Sequence, residues 1–271
     1  MKRILKIFTV LVLVLTVIIP VVPIKAEEEN DNTFVVGMEC NYAPFNWTQV
    51  NETETAVFLE GGGYADGYDV VVAREIAKHL GKELVIKKMS WDGLEPALQA
   101  GVIDAVIAGM TDTADRRQRV DFTQTYYESQ MVLIVRKKDK LEDAKSLKDF
   151  SNKKVLGQLN TLYDTVIDQI PGVKHATALE DYPAMVMQLN SELVDAVTAE
   201  LPVAAGIVAT NPDLTYVEFE EGKGFDVDLT DTSVSIAVSK ENLELKNKIN
   251  EYLNSISDED KKEMMDEAID R

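Results

Sequence analysis

Two stretches decide the fold: Leu98-Gln-Ala-Gly-Val-Ile-Asp-Ala-Val-Ile-Ala-Gly109 and, 91 residues later, Leu189-Asn-Ser-Glu-Leu-Val-Asp-Ala-Val-Thr-Ala-Glu200. Five of the twelve positions are identical, and the same spacing pairs Trp91 with Tyr182. In both copies an amphipathic segment leads through a turn into an apolar run, which is typical of a helix followed by a buried strand. The repeat predicts two similarly built lobes, in which Gly109 and Glu200 occupy equivalent strand ends.

Around the first copy, short apolar runs alternate with longer amphipathic stretches. Strands are predicted at 34–36, 84–86 and 102–108, and helices at 69–80 and 94–100. This alternation is typical of parallel sheets with crossover helices. The predicted class is therefore α/β.

The repeat also suggests how the chain divides between the lobes. Residues 232–239 have the pattern of a strand returning to the first lobe, and the helical tail that follows should pack on that lobe. We expect lobe 1 to comprise 33–129 plus 232–271 and lobe 2 to comprise 130–231. Two crossing strands would join the lobes as a hinge. Open α/β sheets bind ligands at the carboxyl ends of their strands, so two such edges facing each other would form a cleft.

Composition excludes several classes of function. The chain has 271 residues, of which 45% are hydrophobic, and a net charge of −19. A negative surface of that size repels phosphate backbones, so nucleic-acid binding is not expected. One cysteine and two histidines provide neither a disulfide framework nor the usual zinc or iron–sulfur ligands. No metal and no cofactor are expected.

The first 26 residues have the pattern of a secretory signal peptide. A basic start, with Lys2, Arg3 and Lys6, precedes an apolar run over 7–19, and cleavage is expected after Ala26. Removing this segment takes four basic residues and no acidic one, which changes the net charge from −19 to −23. The alternative is an uncleaved N-terminal anchor. The protein is expected outside the cytoplasm, and not as a lipoprotein, because the only cysteine lies well beyond the apolar run.

Five segments, in this order, resemble the polar amino-acid-binding proteins of bacterial ABC importers. They are Val36-Gly-Met-Glu-Cys-Asn-Tyr-Ala-Pro-Phe45, Gly67-Tyr-Asp-Val70, Trp91-Asp-Gly-Leu-Glu-Pro-Ala-Leu98, Asp104-Ala-Val-Ile-Ala-Gly-Met-Thr-Asp-Thr-Ala-Asp-Arg116 and Val120-Asp-Phe-Thr123. The resemblance covers nearly the whole mature chain. It implies a two-lobed clamshell of the type II periplasmic-binding fold, in which each lobe is a mostly parallel sheet flanked by helices.

Arg116 lies near the start of a helix predicted from Thr113. A planar guanidinium beside free helix N–H groups suits a carboxylate. The resemblance implies that Arg116 clamps the ligand's α-carboxylate, assisted by the Thr111 hydroxyl and by backbone groups of Gly109 and Thr111. The alternative is a solvated surface arginine, which is what we expect of the two arginines that follow.

Glu200 directly follows a buried strand, where a charge is costly unless it has a partner. The resemblance implies that Glu200 holds the ligand's α-ammonium group, although the family more often has aspartate there. The alternative is an acid that caps the helix beginning near Pro202.

The remaining candidates concern the ligand side chain. The resemblance implies that Tyr42 and Trp91 sandwich it and that Thr161, before a predicted helix, contributes to the carboxylate site. Glu39 either caps the following turn or faces the distal end of the ligand. Asp69 is expected to cap its own helix.

These residues predict a monomeric binding protein that closes on a free polar amino acid and delivers it to a membrane permease driven by a cytoplasmic ATPase. An anion at Glu39 beside two aromatic faces favours a cationic ligand, so arginine or lysine is expected, with glutamine next. The alternative on the same fold is a dehydratase of the cyclohexadienyl or arogenate type, in which Glu200 or Glu39 transfers a proton. The ectodomain of a membrane receptor is disfavoured, because no second apolar segment of spanning length follows.

Overall fold

The computed structural model describes residues 32–228 and 231–271. The expected signal peptide, residues 1–26, lies outside the described residues. Within those ranges no helix is both long and apolar enough to cross a membrane.

The first five-stranded sheet contains most of the strands predicted around the first repeat. In spatial order its strands are β6 (Glu83–Lys88), β1 (Thr33–Met38), β7 (Ala105–Val106), β14 (Ser233–Val238) and β8 (Asp121–Glu128). Strand β1 pairs in parallel with β6 and β7, whereas β14 is antiparallel to β7 and β8. The predicted return of β14 to this sheet is confirmed. The third predicted strand is regular only over β7, shorter than expected.

The second five-stranded sheet repeats this pattern of directions. Its strands are β11 (Lys174–His175), β10 (Lys154–Leu156), β12 (Ala196–Glu200), β9 (Met131–Arg136) and β13 (Leu214–Val217). Only β9 runs against the others, as β14 does in the first sheet. Both sheets are therefore mostly parallel, as predicted. A small antiparallel sheet is formed by β2 (Asn41–Tyr42), β3 (Asn46–Gln49), β5 (Tyr64–Asp66) and β4 (Val57–Phe58).

The helices cover the sheets. They are α1 (Tyr68–Leu80), α2 (Trp91–Gln99), α3 (Leu162–Thr165), α4 (Tyr182–Asn190), α5 (Leu201–Thr210), α6 (Leu243–Ser255) and α7 (Asp258–Asp270). Short 3₁₀ turns occur at Arg116–Gln118, Lys137–Asp139, Leu141–Asp143, Leu147–Phe150 and Val166–Gln169. Helix α1 ends at Gly81, whose φ of +67° is left-handed and costs glycine little. The tail binds the first sheet as expected, because Lys246 Nζ lies 2.8 Å from Asp121 Oδ2.

The helix predicted from Thr113 is wrong. Only one 3₁₀ turn forms there, over Arg116–Gln118, and the Thr113 hydroxyl accepts the Arg116 amide at 3.2 Å. Strand β8 begins at Asp121, so the chain has no room for further helical turns.

The internal repeat is confirmed in three dimensions. Helices α2 and α4 both have nine residues and lie 91 positions apart. In the first sheet, Asp104 accepts the Val35 amide at 2.8 Å through its side chain and returns a backbone bond of 2.8 Å to the Val35 carbonyl. In the second sheet, Asp195 makes the same pair of bonds to Lys154, both of 2.7 Å. We call this two-bond arrangement the aspartate clasp. It ties the last strand of each unit to its neighbour, so that both strands end at the carboxyl edge of their sheet.

Candidate functional site

All the residues predicted from the sequence to bind ligand border one small cavity, of about 10 Å³ in this structure: Glu39, Tyr42, Trp91, Gly109, Thr111, Arg116, Thr161 and Glu200. The structure adds Gln158, Leu162 and Tyr163 to its lining. The cavity lies where strand ends meet. Glu39 follows β1, Gly109 follows β7, and Glu200 is the last residue of β12. Both sheets therefore contribute to it through the carboxyl ends of their strands.

Glu200 is the acid of the cavity, with only 1% of its surface exposed. Its Oε1 accepts a 2.5 Å hydrogen bond from the Tyr42 hydroxyl, whereas its Oε2 is buried without a hydrogen-bond partner among the described residues. The alternative of a helix cap is wrong, because the side chain makes no capping bond to α5. Burial raises the pKa of Glu200 to about 8, and the hydroxyls of Tyr42 and Tyr163 oppose that rise only in part. In the described ranges Oε2 and the Tyr163 hydroxyl each lack a hydrogen bond, so both are polar atoms that a bound ligand would satisfy.

Arg116 is the cation of the cavity and is 8% exposed, so the alternative of a solvated surface arginine is wrong. Its Nε lies 3.2 Å from Glu95 Oε1, its Nη1 donates to the Thr111 carbonyl at 2.8 Å, and its guanidinium carbon lies 5.1 Å from the centre of the Trp91 ring. Burial lowers the pKa of Arg116, and the Glu95 carboxylate opposes this. The guanidinium plane is therefore fixed by an acid, a carbonyl and an aromatic face.

A cross-sheet contact completes the surroundings of this guanidinium. Arg116 Nη2 donates to the carbonyl of Asn160, in the loop after β10, over 3.4 Å. The two arginines that follow lie at the surface as expected. Arg117 pairs with Asp112, and Arg119 pairs with Glu95 and Asp115.

Gly109 and Tyr42 pack against each other. The φ of Gly109 is +59°, and a Cβ on this residue would approach Tyr42 Cε1 to 2.6 Å. Tyr42 itself stacks on Phe45, a fully buried core residue, with ring centres 5.3 Å apart. The Gly109 amide, expected at the ligand carboxylate, donates to the Tyr126 hydroxyl at 3.0 Å instead. Gly109 therefore allows Tyr42 to approach the cavity closely.

Glu39 faces the cavity and does not cap the following turn. In the described part of the chain, no backbone amide of the residues after Glu39 donates to its carboxylate, as a cap would require. The side chain of Glu39 meets Gln158 Nε2 at 3.4 Å. The pKa of Glu39 is raised to about 7, mainly by burial and also by the negative charges of Asp181 and Glu180, while the Gln158 hydrogen bond and the positive charge of Lys88 oppose the rise. Acids therefore outnumber cations around Glu39.

Three residues that line the cavity were not predicted: Gln158, in the loop between β10 and α3, and Leu162 and Tyr163, in α3. Gln158 and Tyr163 come from this loop and the helix that follows it, and the Tyr163 hydroxyl is buried without a hydrogen-bond partner in the described ranges. The Thr161 hydroxyl bonds within the loop, to the Gln158 carbonyl at 2.7 Å. The left-handed φ of Asn160, +58°, marks the turn that brings these residues to the cavity.

Asp69 was expected to cap its helix, and this prediction is wrong. The N-cap of α1 is Gly67, with no side-chain capping bond. Asp69 is completely buried and accepts hydrogen bonds from the Tyr126 hydroxyl at 2.6 Å and from Asn46 Nδ2 at 2.7 Å. Its partners lie on β8 and β3, far from it in sequence.

A comparison with known families decides the classification. The profile of the bacterial extracellular solute-binding proteins, family 3, matches residues 34–268. The chain belongs to this family. Membership agrees with the type II periplasmic-binding fold expected from the sequence motifs.

Individual family 3 proteins resemble the chain along most of its length. A protein named probable histidine-binding protein, from Campylobacter jejuni, is 34% identical over 196 residues, which are 71% of this chain and 70% of that protein. The arginine-binding extracellular protein ArtP of Bacillus subtilis is 28% identical over 237 residues, 86% of this chain and 84% of ArtP.

The solved structures confirm the fold. The substrate-binding protein AbpA of Streptococcus pneumoniae, crystallised with L-arginine, superposes with a TM-score of 0.75 at 28% identity, covering 89% of this chain and 95% of AbpA. An ancestral arginine-binding protein bound to arginine is 33% identical, with a TM-score of 0.71 over 87% of this chain and 97% of that one. The predicted two-lobed clamshell is therefore confirmed as the architecture.

Proposed function

We propose that this protein is the substrate-binding component of an amino-acid ABC importer and that its preferred ligand is arginine. Its family consists of extracellular solute-binding proteins, and relatives are named for binding histidine and arginine. The site supports the same class of ligand, because one buried cation, Arg116, and two buried acids, Glu39 and Glu200, line a single cavity.

The observation that carries the proposal is that Arg116 and Glu200 line the same cavity. Arg116 comes from the segment after β7 in the first sheet, and Glu200 ends β12 in the second. The free Oε2 of Glu200 is a buried acceptor that an ammonium group would satisfy. The guanidinium edge of Arg116 would bind the carboxylate. Free amino acids carry these two charges one carbon apart.

Arginine is favoured over neutral amino acids by the charges at the Glu39 end. Among the described residues the Glu39 side chain has one hydrogen-bond partner, the amide of Gln158; the negative charges of Asp181 and Glu180 raise its pKa, and the positive charge of Lys88 lowers it. A guanidinium there would neutralise Glu39 and form charge-assisted hydrogen bonds.

Tyr42 and Trp91 line the same cavity, but their rings contact other side chains. The Tyr42 ring contacts Phe45 and Tyr182, and the Trp91 ring contacts Arg116. The choice of arginine therefore rests on the acids and not on these rings.

Closure of the two lobes is the proposed mechanism. With lobe 1 as 33–129 plus 232–271 and lobe 2 as 130–231, Arg116 and Glu200 belong to different lobes, so a ligand meets both only when the lobes close. The ligand then stabilises the closed state through contacts that the open state does not make. We further propose that the leader is cleaved after Ala26 and that the closed monomer engages a permease driven by an ATPase.

A competition series tests the ligand. Calorimetry with arginine, lysine, histidine, glutamine and glutamate should show arginine binding tightest, and Glu39→Gln should weaken arginine more than glutamine. Glu83→Gln, on the exposed start of β6, is the matched control. Tightest binding of glutamine to the wild type, or unchanged arginine binding in Glu39→Gln, would refute the arginine assignment.

A second candidate function is supported by the raised pKa of Glu200, about 8, which would also suit a proton-transferring acid. The protein should bind amino acids and turn over neither prephenate nor arogenate. If the wild type forms product and Glu200→Gln does not, the proposed function changes from a binding protein to a dehydratase.

A further inference from the structure

Asp69 lies at the centre of a buried network behind the ligand cavity. It is absent from the cavity lining, as are its partners Tyr126 and Asn46, and all three side chains are almost completely inaccessible. They come from three elements: Asp69 from the first turn of α1, Asn46 from β3 and Tyr126 from β8. Such a buried carboxylate is retained only with full hydrogen bonding.

The network has two arms, each of which ends on a backbone amide at the cavity. In the first arm, Tyr126 donates its hydroxyl proton to Asp69 Oδ1 at 2.6 Å and accepts the Gly109 amide at 3.0 Å. In the second, Asn46 donates from Nδ2 to Asp69 Oδ2 at 2.7 Å and accepts the Cys40 amide at 2.7 Å.

Each arm fixes the backbone of one segment beside the cavity. The first fixes Gly109, the left-handed residue against which Tyr42 packs. The second fixes Cys40, which has a left-handed φ of +56° and directly follows Glu39. The conformation of Cys40 sets the direction in which the chain turns from Glu39 towards Tyr42. Both ligand-facing loops of the first sheet thus depend on one carboxylate.

We infer that Asp69 is the positioning residue of the ligand site, and that through Tyr126 and Asn46 it sets the placement of the Gly109 and Glu39–Tyr42 loops. This inference rests on the proposed amino-acid binding for its effect on affinity. The direction of each hydrogen bond in the network is defined. Each oxygen of Asp69 accepts one bond, and each partner both donates to Asp69 and accepts a backbone amide.

That polarity predicts which substitutions break the network. In Asp69→Asn, one oxygen becomes an NH₂ group: facing Asn46 it opposes another NH₂, and facing Tyr126 it makes the hydroxyl an acceptor only and leaves the hydroxyl proton without its acceptor. If Asn46 rotates to accept from the new NH₂ group, the Cys40 amide loses its acceptor. Asn46→Asp instead places two carboxylates side by side in the core.

The double variant, Asp69→Asn with Asn46→Asp, restores every bond. Asn at 69 accepts from Tyr126 and donates to Asp at 46, which then accepts the Cys40 amide. The swap conserves size, net charge and the number of hydrogen bonds, so it isolates the polarity of the network.

The experiment measures arginine affinity by calorimetry and the free energy of unfolding by denaturant titration for both single variants and the swap. Asp69→Asn should bind arginine about tenfold more weakly, and the swap should return to within about threefold of wild type. Asp66→Asn is the matched control, because Asp66 is also fully buried and accepts from Thr53, Thr55 and the Gly67 amide, none of which lines the cavity or bonds to a residue that does. The control should lose stability and keep its affinity.

Tyr126→Phe keeps the protein testable if the single variants at 69 and 46 fail to fold. It cuts only the first arm, so in the ligand-free protein the Gly109 amide resonance should move while the Cys40 resonance stays. This readout does not depend on which ligand the protein binds. Wild type that binds no amino acid would refute the proposed function, whereas normal affinity in Asp69→Asn, a swap no better than the singles, or an unmoved Gly109 resonance would overturn the positioning role.

Discussion

Residues 91–109 and residues 182–200 form the same structural unit twice and end in different chemistry. Each unit has a nine-residue helix, a left-handed turn residue, Gly101 or Glu192, and an aspartate clasp that leads into a strand. The first unit ends at Gly109, which lacks a side chain and admits Tyr42. The second ends at Glu200, a buried acid.

This difference shows how a duplicated scaffold makes an asymmetric site. The aspartate clasp and the strand determine where each unit ends. The last residue of the unit determines which side chain, if any, the unit places at the cavity. Beyond Gly109 the chain continues to Arg116, whereas beyond Glu200 it enters α5 at once. One half therefore supplies the proposed carboxylate site and the other supplies the ammonium site.

Arg116→Lys should have the largest effect, because it removes the charge geometry of the first half. An ammonium cannot reproduce the planar fork of a guanidinium. A lost charge-assisted hydrogen bond, worth about 1.5 to 3 kcal/mol, predicts a loss of arginine affinity of roughly 10- to 150-fold. Calorimetry measures it, and Arg117→Lys, at an exposed pair with Asp112, is the control. Equal affinity in both variants would remove Arg116 from the site.

Glu200→Gln breaks the second half while keeping its shape. We expect at least about a tenfold weaker affinity for arginine, since the buried charge facing the ammonium is lost. In the wild type, affinity should rise with pH from about 6 to 8, because binding a cation requires loss of the protons that burial retains on Glu39 and Glu200. Titrations in buffers of different ionisation enthalpy should show proton release, and Glu200→Gln should reduce it. A pH-independent affinity would contradict the assignment.

The same raised pKa values predict the pH dependence of stability without ligand. The pKa of Glu200 rises from 4.5 to about 8 on folding, so between these values the folded state holds a proton that the unfolded state has released. The free energy of unfolding should be highest at low pH in this window and fall as pH rises to about 8. Denaturant titrations at intervals across the window measure this fall in the free energy of unfolding, and Glu200→Gln should make it smaller.

Gly109→Ala tests why the first unit ends in glycine. An added Cβ would lie 2.6 Å from Tyr42, at a φ of +59°. We expect arginine affinity to fall about fivefold as Tyr42 shifts. Gly101→Ala is a close control, because its φ is +68° but its Cβ would meet no atom within 4 Å. It should lose stability by about 1 kcal/mol and keep its affinity. Similar affinity losses in both variants would mean that backbone strain, and not Tyr42, is responsible.

The smallest effect on binding is expected at the shared clasp. Asp104→Ala and Asp195→Ala should each lower the free energy of unfolding by about 1 to 2 kcal/mol, because each leaves a strand amide without its acceptor. Affinity should stay within about twofold of wild type. Denaturant and ligand titrations of both variants measure this. A large difference in stability between the two would break the equivalence of the halves.

Much of the fold could be predicted because its signals are local. Short segments of sequence show helix α1 and the glycine that ends it, and the alternation of strand and helix patterns. They also show the twelve-residue repeat, whose two copies lie 91 residues apart. The cavity residues were identified from the resemblance to the amino-acid-binding family, and they lie near strand ends, where an α/β fold concentrates its ligand contacts.

The missed features depend on contacts between distant segments. Asp69 has the position of a helix cap, but its partner Tyr126 lies 57 residues away and draws it into the core. Gln158 meets Glu39, 119 residues away, only in the folded chain. The helix expected from Thr113 is limited by the start of β8. Periodicity in one segment does not contain this information.

Small-angle scattering during an arginine titration tests most directly the claim that one cleft divides its two charges between two lobes. The wild type should contract as arginine saturates it, reaching a smaller radius of gyration, and Glu200→Gln should contract less at the same arginine concentration. Saturated binding of arginine by the wild type with an unchanged radius of gyration would contradict the account.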